Sequence, residues 1–353
     1  MPAGIKVFQA LSVKDHPTII SDKKSPDLSN VLVNNPIGAL VNMEGIEKYN
    51  SVGFGAAIVA IHQLNGHIFS LAGSKLYEGY PAVPPEGYTA IEYCSELQAM
   101  QANPSGHYWL ANDIDASICG YSPIATFTGI LDGNGHSITG LSSSKNGNLG
   151  GLVRTNNGTI KNCSFEGNVI GVSEGAAYYN IGGIAGTNNS IIRNCRSACI
   201  VSGDIRVGGI AGDNNGTIEK CSSIGNVSAG ARTGGLVGRN NSTIRNCRSI
   251  GDVSGYAKYN GVGGLIGENH SLVINCYSIG IVSASGYVGG LIGENISGTV
   301  NDCFWDTETS GQATSDGGTG KTTAQMKQQA TFTNWDFDDI WTIVEGVSYP
   351  TLR

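Results

Sequence analysis

The chain has 353 residues, of which 52 are glycine and 14% are charged, with a formal net charge of −7. That length suits two or three domains, while so much glycine excludes a mainly helical protein and its lack of a strict three-residue period excludes collagen. The acidic balance gives no bulk attraction for nucleic acid or an anionic membrane surface.

Residues 1–87 do not repeat. The opening Met1-Pro2-Ala3-Gly4-Ile5-Lys6 lacks a basic segment followed by an apolar one, so no signal peptide is expected. The longest apolar run, residues 52–61, stops at His62 and is too short to cross a bilayer, so no membrane insertion is expected. The proline-rich stretch from Pro81 to Pro85 reads as a boundary. A small α+β unit that anchors or assembles the chain is expected over 1–87. Beyond Tyr88, the run from Cys94 to Met100 predicts a short helix with Ser95 as its N-cap. Strand-like runs separated by turn residues follow at 108–115 and 127–138.

Then the chain says nearly the same thing six times. Double glycines fall at 150–151, 182–183, 208–209, 234–235, 263–264 and 289–290, spaced by 32, 26, 26, 29 and 26 residues. Cys163, Cys195, Cys221, Cys247 and Cys276 each follow the second glycine by twelve residues, and Cys303 follows by thirteen. A period of this length means one supersecondary unit stacked on itself. Each copy offers three strand-like runs, and three strands of about five residues with their corners fill one turn of a parallel β-helix. The expected fold is therefore mainly β: a right-handed parallel β-helix over 88–310, with the regular repeats at 150–303 and a C-terminal cap over 311–353. The paired glycines suit a tight corner or close backbone approach. Leu152, Ile184, Ile210, Leu236, Leu265 and Leu291 predict an inward aliphatic column. Asn156, Asn188, Asn214, Asn240, Asn269 and Asn295 predict a corner ladder, since asparagine tolerates the left-handed region and its amide can bond the amide one coil away. The open ends of such a rod need capping. Residues 88–105 suit one end. At the other, Thr322 or Thr323 is expected to open a helix running through Gln329, with Trp335, Phe337 and Trp341 over the last coil.

The signatures Gly-Gly-Leu-Val-Gly-x-Asn, Thr-Ile-x-Asn-Cys and Gly-x-Val-Ser resemble the GLUG repeat of bacterial surface and secreted proteins, among them large adhesins and streptococcal IgA-cleaving metallopeptidases. Residues 106–115 and 131–136 resemble the opening coils of such proteins, and Cys303-Phe304-Trp305-Asp306 through Met326 their closing segment. Arg154, in place of a third glycine, and Lys220, in place of asparagine, depart from the pattern.

The resemblance implies a β-helix more than an activity. The metallopeptidases would need His-Glu-x-x-His, and none of the histidines at 16, 62, 67, 107, 136 and 270 stands in that motif. Lys321 after a glycine-rich turn lacks the spacing of a phosphate loop, because Ser315 stands where a glycine is required. Asp113, Asp115 and Asp132 suit turn carboxylates, with catalysis or calcium binding as the sharper alternatives. The cysteine column reads as an inert core ladder, and Cys199, off the ladder, as the candidate exposed thiol. The sequons at Asn157, Asn215 and Asn295 arise from the repeat itself. No catalytic residue, metal or cofactor is assigned. Tyr178, Tyr179, Tyr256, Tyr259 and Tyr287 precede double glycines, in or near the stretches where copies differ in length, and solenoid insertions often form the binding face. They are the candidate ligand-binding residues.

The expected function is a non-enzymatic structural rod for adhesion or appendage assembly, presenting a recognition face to a glycan or surface protein at the cell surface. Self-association is expected through residues 1–87. A phage or injection-particle spike docking through 1–87, and a carbohydrate-active enzyme using the Asp113 region, are the alternatives.

Overall fold

Hydrogen bonds in the repeated stretch run mainly from coil to coil, so the strands stack in parallel along an axis. The computed structural model describes residues 84–145, 147–171, 179–256 and 261–353, together with the strands Lys6–Phe8, Thr18–Ile20, Val31–Asn34, Ala39–Leu40, Ile58–Leu64, His67–Ala72 and Lys75–Gly79. Two compact units divide the chain, Met1–Val83 and Pro84–Arg353. The described strands of the first form a four-stranded and a three-stranded antiparallel sheet; the helical part expected there lies outside the described residues.

The second unit is a parallel β-helix. Its three strand-like runs per coil resolve into five short strands, because glycines and a left-handed corner interrupt them. In one coil these are Ile205–Gly208, Ala211–Asn214, Thr217–Glu219, Ser222–Ser223 and Val227–Ala229. We call them the glycine, asparagine, isoleucine, serine and valine strands. Stacked copies give a six-stranded glycine sheet, a seven-stranded asparagine sheet and a nine-stranded isoleucine sheet, while serine and valine strands share one large sheet. The aliphatic column is present: Leu152, Ile184, Ile210, Leu236, Leu265 and Leu291 are all buried. Ile160, Ile192, Ile218, Ile244 and Val273 form a second column facing it from the isoleucine sheet.

The double glycines act by close approach; neither member of these pairs is among the positive-φ glycines. A β-carbon on Gly209 or Gly235 would collide with the hydroxyl of Ser223 or Ser249 across the coil. Buried Ser197, Ser223, Ser249 and Ser278 stack in register opposite the second glycines. Phe165 precedes this serine column and Trp305 follows it, both buried.

The left-handed corner lies elsewhere than expected. Asn162, Asn194, Lys220, Asn246, Asn275 and Asp302, each just before a ladder cysteine, have φ between 50° and 56°. Lys220 keeps that conformation despite its longer side chain. The Asn156 series instead forms a buried amide ladder, Nδ2 of each donating to Oδ1 of the next at 2.8–2.9 Å. Arg154 is tolerated because its coil begins the glycine sheet. The third glycine of later copies, such as Gly212, abuts the backbone of Asn180 and Ile181 at the start of the preceding glycine strand, and no such strand precedes Arg154.

All six ladder cysteines are free and buried. They also do polar work: the Sγ of Cys247, Cys276 and Cys303 accepts the backbone N–H of the cysteine one coil back at 3.3–3.4 Å. Each thiol in turn donates to a carbonyl near its own corner, Cys221 to Glu219 at 3.2 Å. Cys199 corrects the sequence reading. It is buried, not exposed; its Sγ donates to the Gly183 carbonyl, and burial pushes its thiol up to about 12.

Both ends are closed. At the first, helix α1 (Cys94–Ala99) places Leu97, with neighbouring Met100, in the axial core. Its N-cap is Tyr93 rather than Ser95, because Glu96 reaches back to the Glu92 and Tyr93 amides. A disulfide joins Cys94 to Cys119, pinning α1 to the 3₁₀ turn Ala116–Cys119. Closing that 25-residue separation is worth about 3 kcal/mol. A reductant should therefore lower the unfolding midpoint of the wild type and leave a Cys94→Ala/Cys119→Ala double variant unmoved; equal shifts in both would place the effect elsewhere.

At the far end, backbone edges that would lie open are met by residues 314–316. Thr314 O accepts from Gly290 N, Ser315 Oγ accepts from Leu291 and Ile292 N, and Asp316 accepts from Asn295 N. Helix α2 (Thr307–Ser310) precedes this segment and α3 (Thr323–Met326) follows it, capped by Thr322 and stopping short of Gln329. Trp305 rather than Trp335 joins the axial core; Trp335 and Trp341 pack with Tyr277, Phe304 and Phe332 in a second cluster beside the serine strands.

Candidate functional site

One corner of the rod lies between the valine and glycine strands. Copies differ in sequence length between those strands. Tyr178 and Tyr259 lie outside the described residues. Tyr179 is half-buried and packs on the axial core, which suits a structural ring better than a free one. Tyr256 and Tyr287 are 79% and 58% exposed. Tyr256 follows the valine strand Val253–Gly255, its N–H bonded to Ala229 O, and Tyr287 precedes the glycine strand Val288–Gly289, its carbonyl accepting from Val262 N. The two rings stand at the same corner on adjacent coils.

Next to this corner runs a strip of charge that the sequence reading missed. In register down the asparagine sheet stand Thr187, Asp213, Arg239, Glu268 and Glu294. Asp213 receives both Nε and Nη2 of Arg239, at 2.9 and 2.7 Å. Glu268 is bonded by Arg232 Nε and lies 2.8 Å from His270 Nε2. Arg206 and Arg232, two residues before their double glycines, hold φ of 55° and 48°, an expensive conformation for a non-glycine residue. Both carboxylates are nearly buried. Burial alone would raise the Glu268 carboxyl, but the His270 and Arg232 bonds outweigh it and hold it below its ordinary range. Aligning the copies exposes the signal: four residues past the second glycine the side chains read Thr, Thr, Asp, Arg, Glu, Glu.

The sign of the pH effect follows. A depressed carboxyl contributes stability above its unfolded pKa and loses it as pH falls through the folded value. Glu268→Gln should be less stable than wild type at neutral pH, and the gap should close on acidification. A gap independent of pH in thermal melts would contradict this.

The acidic candidates of the opening coils are committed to structure. Asp113 accepts Ser137 N and Oγ at 2.7 and 3.0 Å, chiefly through the backbone bond that holds its carboxyl low. Asp115 caps the 3₁₀ turn through Ser117, and Asp132 pairs with Lys161 at 2.8 Å. Among the described residues no group of three or more His, Cys, Asp or Glu side chains is placed to hold a metal ion. Residues 317–321 form a glycine-rich turn into the strand Thr319–Lys321, paired with Phe304–Asp306.

The family model for the GLUG motif matches residues 229–254, the length of one coil. Residues 229–254 carry the GLUG motif. The chain is 20% identical, with a TM-score of 0.58, to a crystal structure from Bacteroides ovatus named a candidate immunoglobulin A1 protease, over 75% of this chain and 91% of that one. At that identity the likeness shows the β-helix fold. Among curated proteins, halomucin of Haloquadratum walsbyi is 38% identical over 96 residues, 22% of this chain. A protein of Evansella cellulosilytica provisionally named a Gly-rich membrane protein is 48% identical over 56 residues, 15% of this chain. The matches span 1% and 6% of those two proteins' lengths. No helix among the described residues is long and apolar enough to cross a membrane.

Proposed function

We propose that this chain is a non-enzymatic, surface-displayed rod whose variable corner, carrying Tyr256 and Tyr287, recognises a glycan or a surface protein. The supporting observation is the contrast between interior and corner. Inward positions go to aliphatic columns, a serine–glycine contact and an amide ladder, whereas two large rings stand exposed on adjacent coils. Tyrosine offers broad contact area with a hydroxyl at small entropic cost. The relatives' names, halomucin and a Gly-rich membrane protein, suit display at a surface. The Cys94–Cys119 disulfide suits an oxidising compartment. Assembly through residues 1–87 belongs to the same reading.

The name of the Bacteroides structure raises peptidase action on immunoglobulin A1. This sequence has no His-Glu-x-x-His, and its opening-coil carboxylates serve turns and caps. Incubation of the full chain with immunoglobulin A1 should leave the heavy chain intact; cleavage would overturn the non-enzymatic reading. For recognition, the full chain is screened against glycans and surface proteins beside a Tyr256→Ala/Tyr287→Ala variant. The variant should keep its thermal midpoint and bind about tenfold more weakly or worse, as for lost aromatic anchors. Undiminished binding by the variant would remove the corner from the site.

A further inference from the structure

On another side of the rod, the serine strands and the C-terminal segment enclose a groove of about 460 Å³. Its wall carries Arg196, Lys220, Arg248 and Arg353, against a single acidic side chain, Asp339. That is a reversal in a chain of net charge −7. Elsewhere on the rod, Lys161, Arg232, Arg239 and Arg245 each meet a carboxylate. The groove cations do not. Arg248 bonds only neutral acceptors, Ser222 Oγ, Tyr277 Oη and the Pro350 carbonyl. Arg353 bonds the Trp341 and Phe337 carbonyls. Among the described residues, Arg196 and Lys220 have no side-chain hydrogen bond or ion pair.

The placement is regular. Arg196, Ser222 and Arg248 are register partners on successive coils, so the two guanidinium-bearing residues stand about 10 Å apart along the axis. Lys220 projects from the left-handed corner of the coil between them. Charges spaced along an axis match a polymer with repeated anionic groups better than one compact anion. At the Arg196 end the lining adds Ser164, Asn162 and Asn194; Asn194 Nδ2 donates to Asn162 Oδ1 and Asn162 Nδ2 to Asp132 Oδ1, which leaves the Ser164 hydroxyl and the Asn194 amide oxygen as partners for sugar hydroxyls. The serine strands are paired on both sides, leaving no edge for an added peptide strand. The lining residues include no aromatic ring on which a base could stack.

We propose that this groove binds an acidic polysaccharide, its carboxylate or sulfate groups seated on Arg196, Lys220, Arg248 and Arg353. This site is separate from the tyrosine corner and stands or falls independently of it. The test passes the full chain over immobilised polygalacturonate, dextran sulfate, neutral dextran and poly-glutamate at rising salt. The comparison is an Arg196→Ser/Lys220→Asn double variant. Both replacements are residues the repeat itself uses at those positions, as Ser222 and Asn246 show, so the coil retains its fold. The wild type should bind one or both acidic glycans in a salt-sensitive way, ignore neutral dextran, and lose about tenfold in affinity in the double variant. Binding to polygalacturonate alone assigns carboxylate, and to dextran sulfate alone assigns sulfate. Tyr256→Ala/Tyr287→Ala should leave this binding unchanged. The proposal is overturned by absence of binding to both acidic glycans at low salt, by unchanged binding in the double variant, or by equal binding to poly-glutamate.

Discussion

Gly235→Ala is expected to destabilise the rod by about 3 kcal/mol or more, the upper part of the range for overpacking a core. A β-carbon there would run into Ser249 Oγ and the Gly264 carbonyl together. Neither can retreat, since Ser249 is buried and Gly264 belongs to the next coil. Truncating Ser249 as well should restore little, because the backbone collision persists. The control is Gly120→Ala, at φ 63° with no atom within 4 Å of the added carbon; it meets only the backbone cost of the left-handed region, about 1 kcal/mol. Urea denaturation should separate the two clearly. Equal midpoints would mean that the coil is wider than described and that glycine is there for another reason.

The second large effect concerns the buried amide ladder. Asn214 accepts from Asn188 and donates to Asn240, both at 2.8 Å, and also donates to the Gly216 carbonyl. Asn214→Asp keeps the shape and removes the donor, so the introduced carboxylate faces the Asn240 Oδ1, acceptor against acceptor. Only the protonated acid can restore that bond. Burial and the missing donor therefore raise the folded pKa above its unfolded value of about 3.9. A raised acid contributes its stability fully below the unfolded pKa and loses it as pH climbs through the folded one, at about 1.4 kcal/mol per pH unit. The difference in melting temperature between wild type and variant should thus be small in acid and widen toward neutral pH. A constant difference would show that the amide bonds contribute only their shape.

Much of this architecture was legible in the copies. The spacing of double glycines and cysteines carries the coil, and the leucine and asparagine columns fall where the sequence puts them, because stacking converts a repeated letter into a physical ladder. What escaped was information that a single copy does not hold. The serine facing Gly235 is fourteen residues away in sequence and becomes a neighbour only when the coil closes. The left-handed corner belongs to Asn246, not Asn240, and one copy offers both asparagines with no means of choosing. Cys199 looked exposed because it left the ladder, yet it turns inward beside Gly183. The Cys94–Cys119 bridge escaped because neither cysteine belongs to the repeat, and the two meet only when α1 folds onto the 3₁₀ turn. That Tyr256 and Tyr287 stand outside the core was legible from variable spacing; their role in binding is the proposal. The Asp213–Arg239 and Arg232–Glu268 strip and the cationic groove depend on pairings across coils and on where the C-terminal segment returns.

On the proposed function, the rod holds a ligand at its surface without changing it. The most direct measurement loads the full chain with a glycan or surface protein it captures, incubates, releases the ligand and determines its mass. Intact ligand should be recovered in proportion to binding sites, however long the incubation. Recovery of shortened products that accumulate with time, and that vanish in an Asp113→Asn or Asp132→Asn variant, would contradict it and make the rod an enzyme.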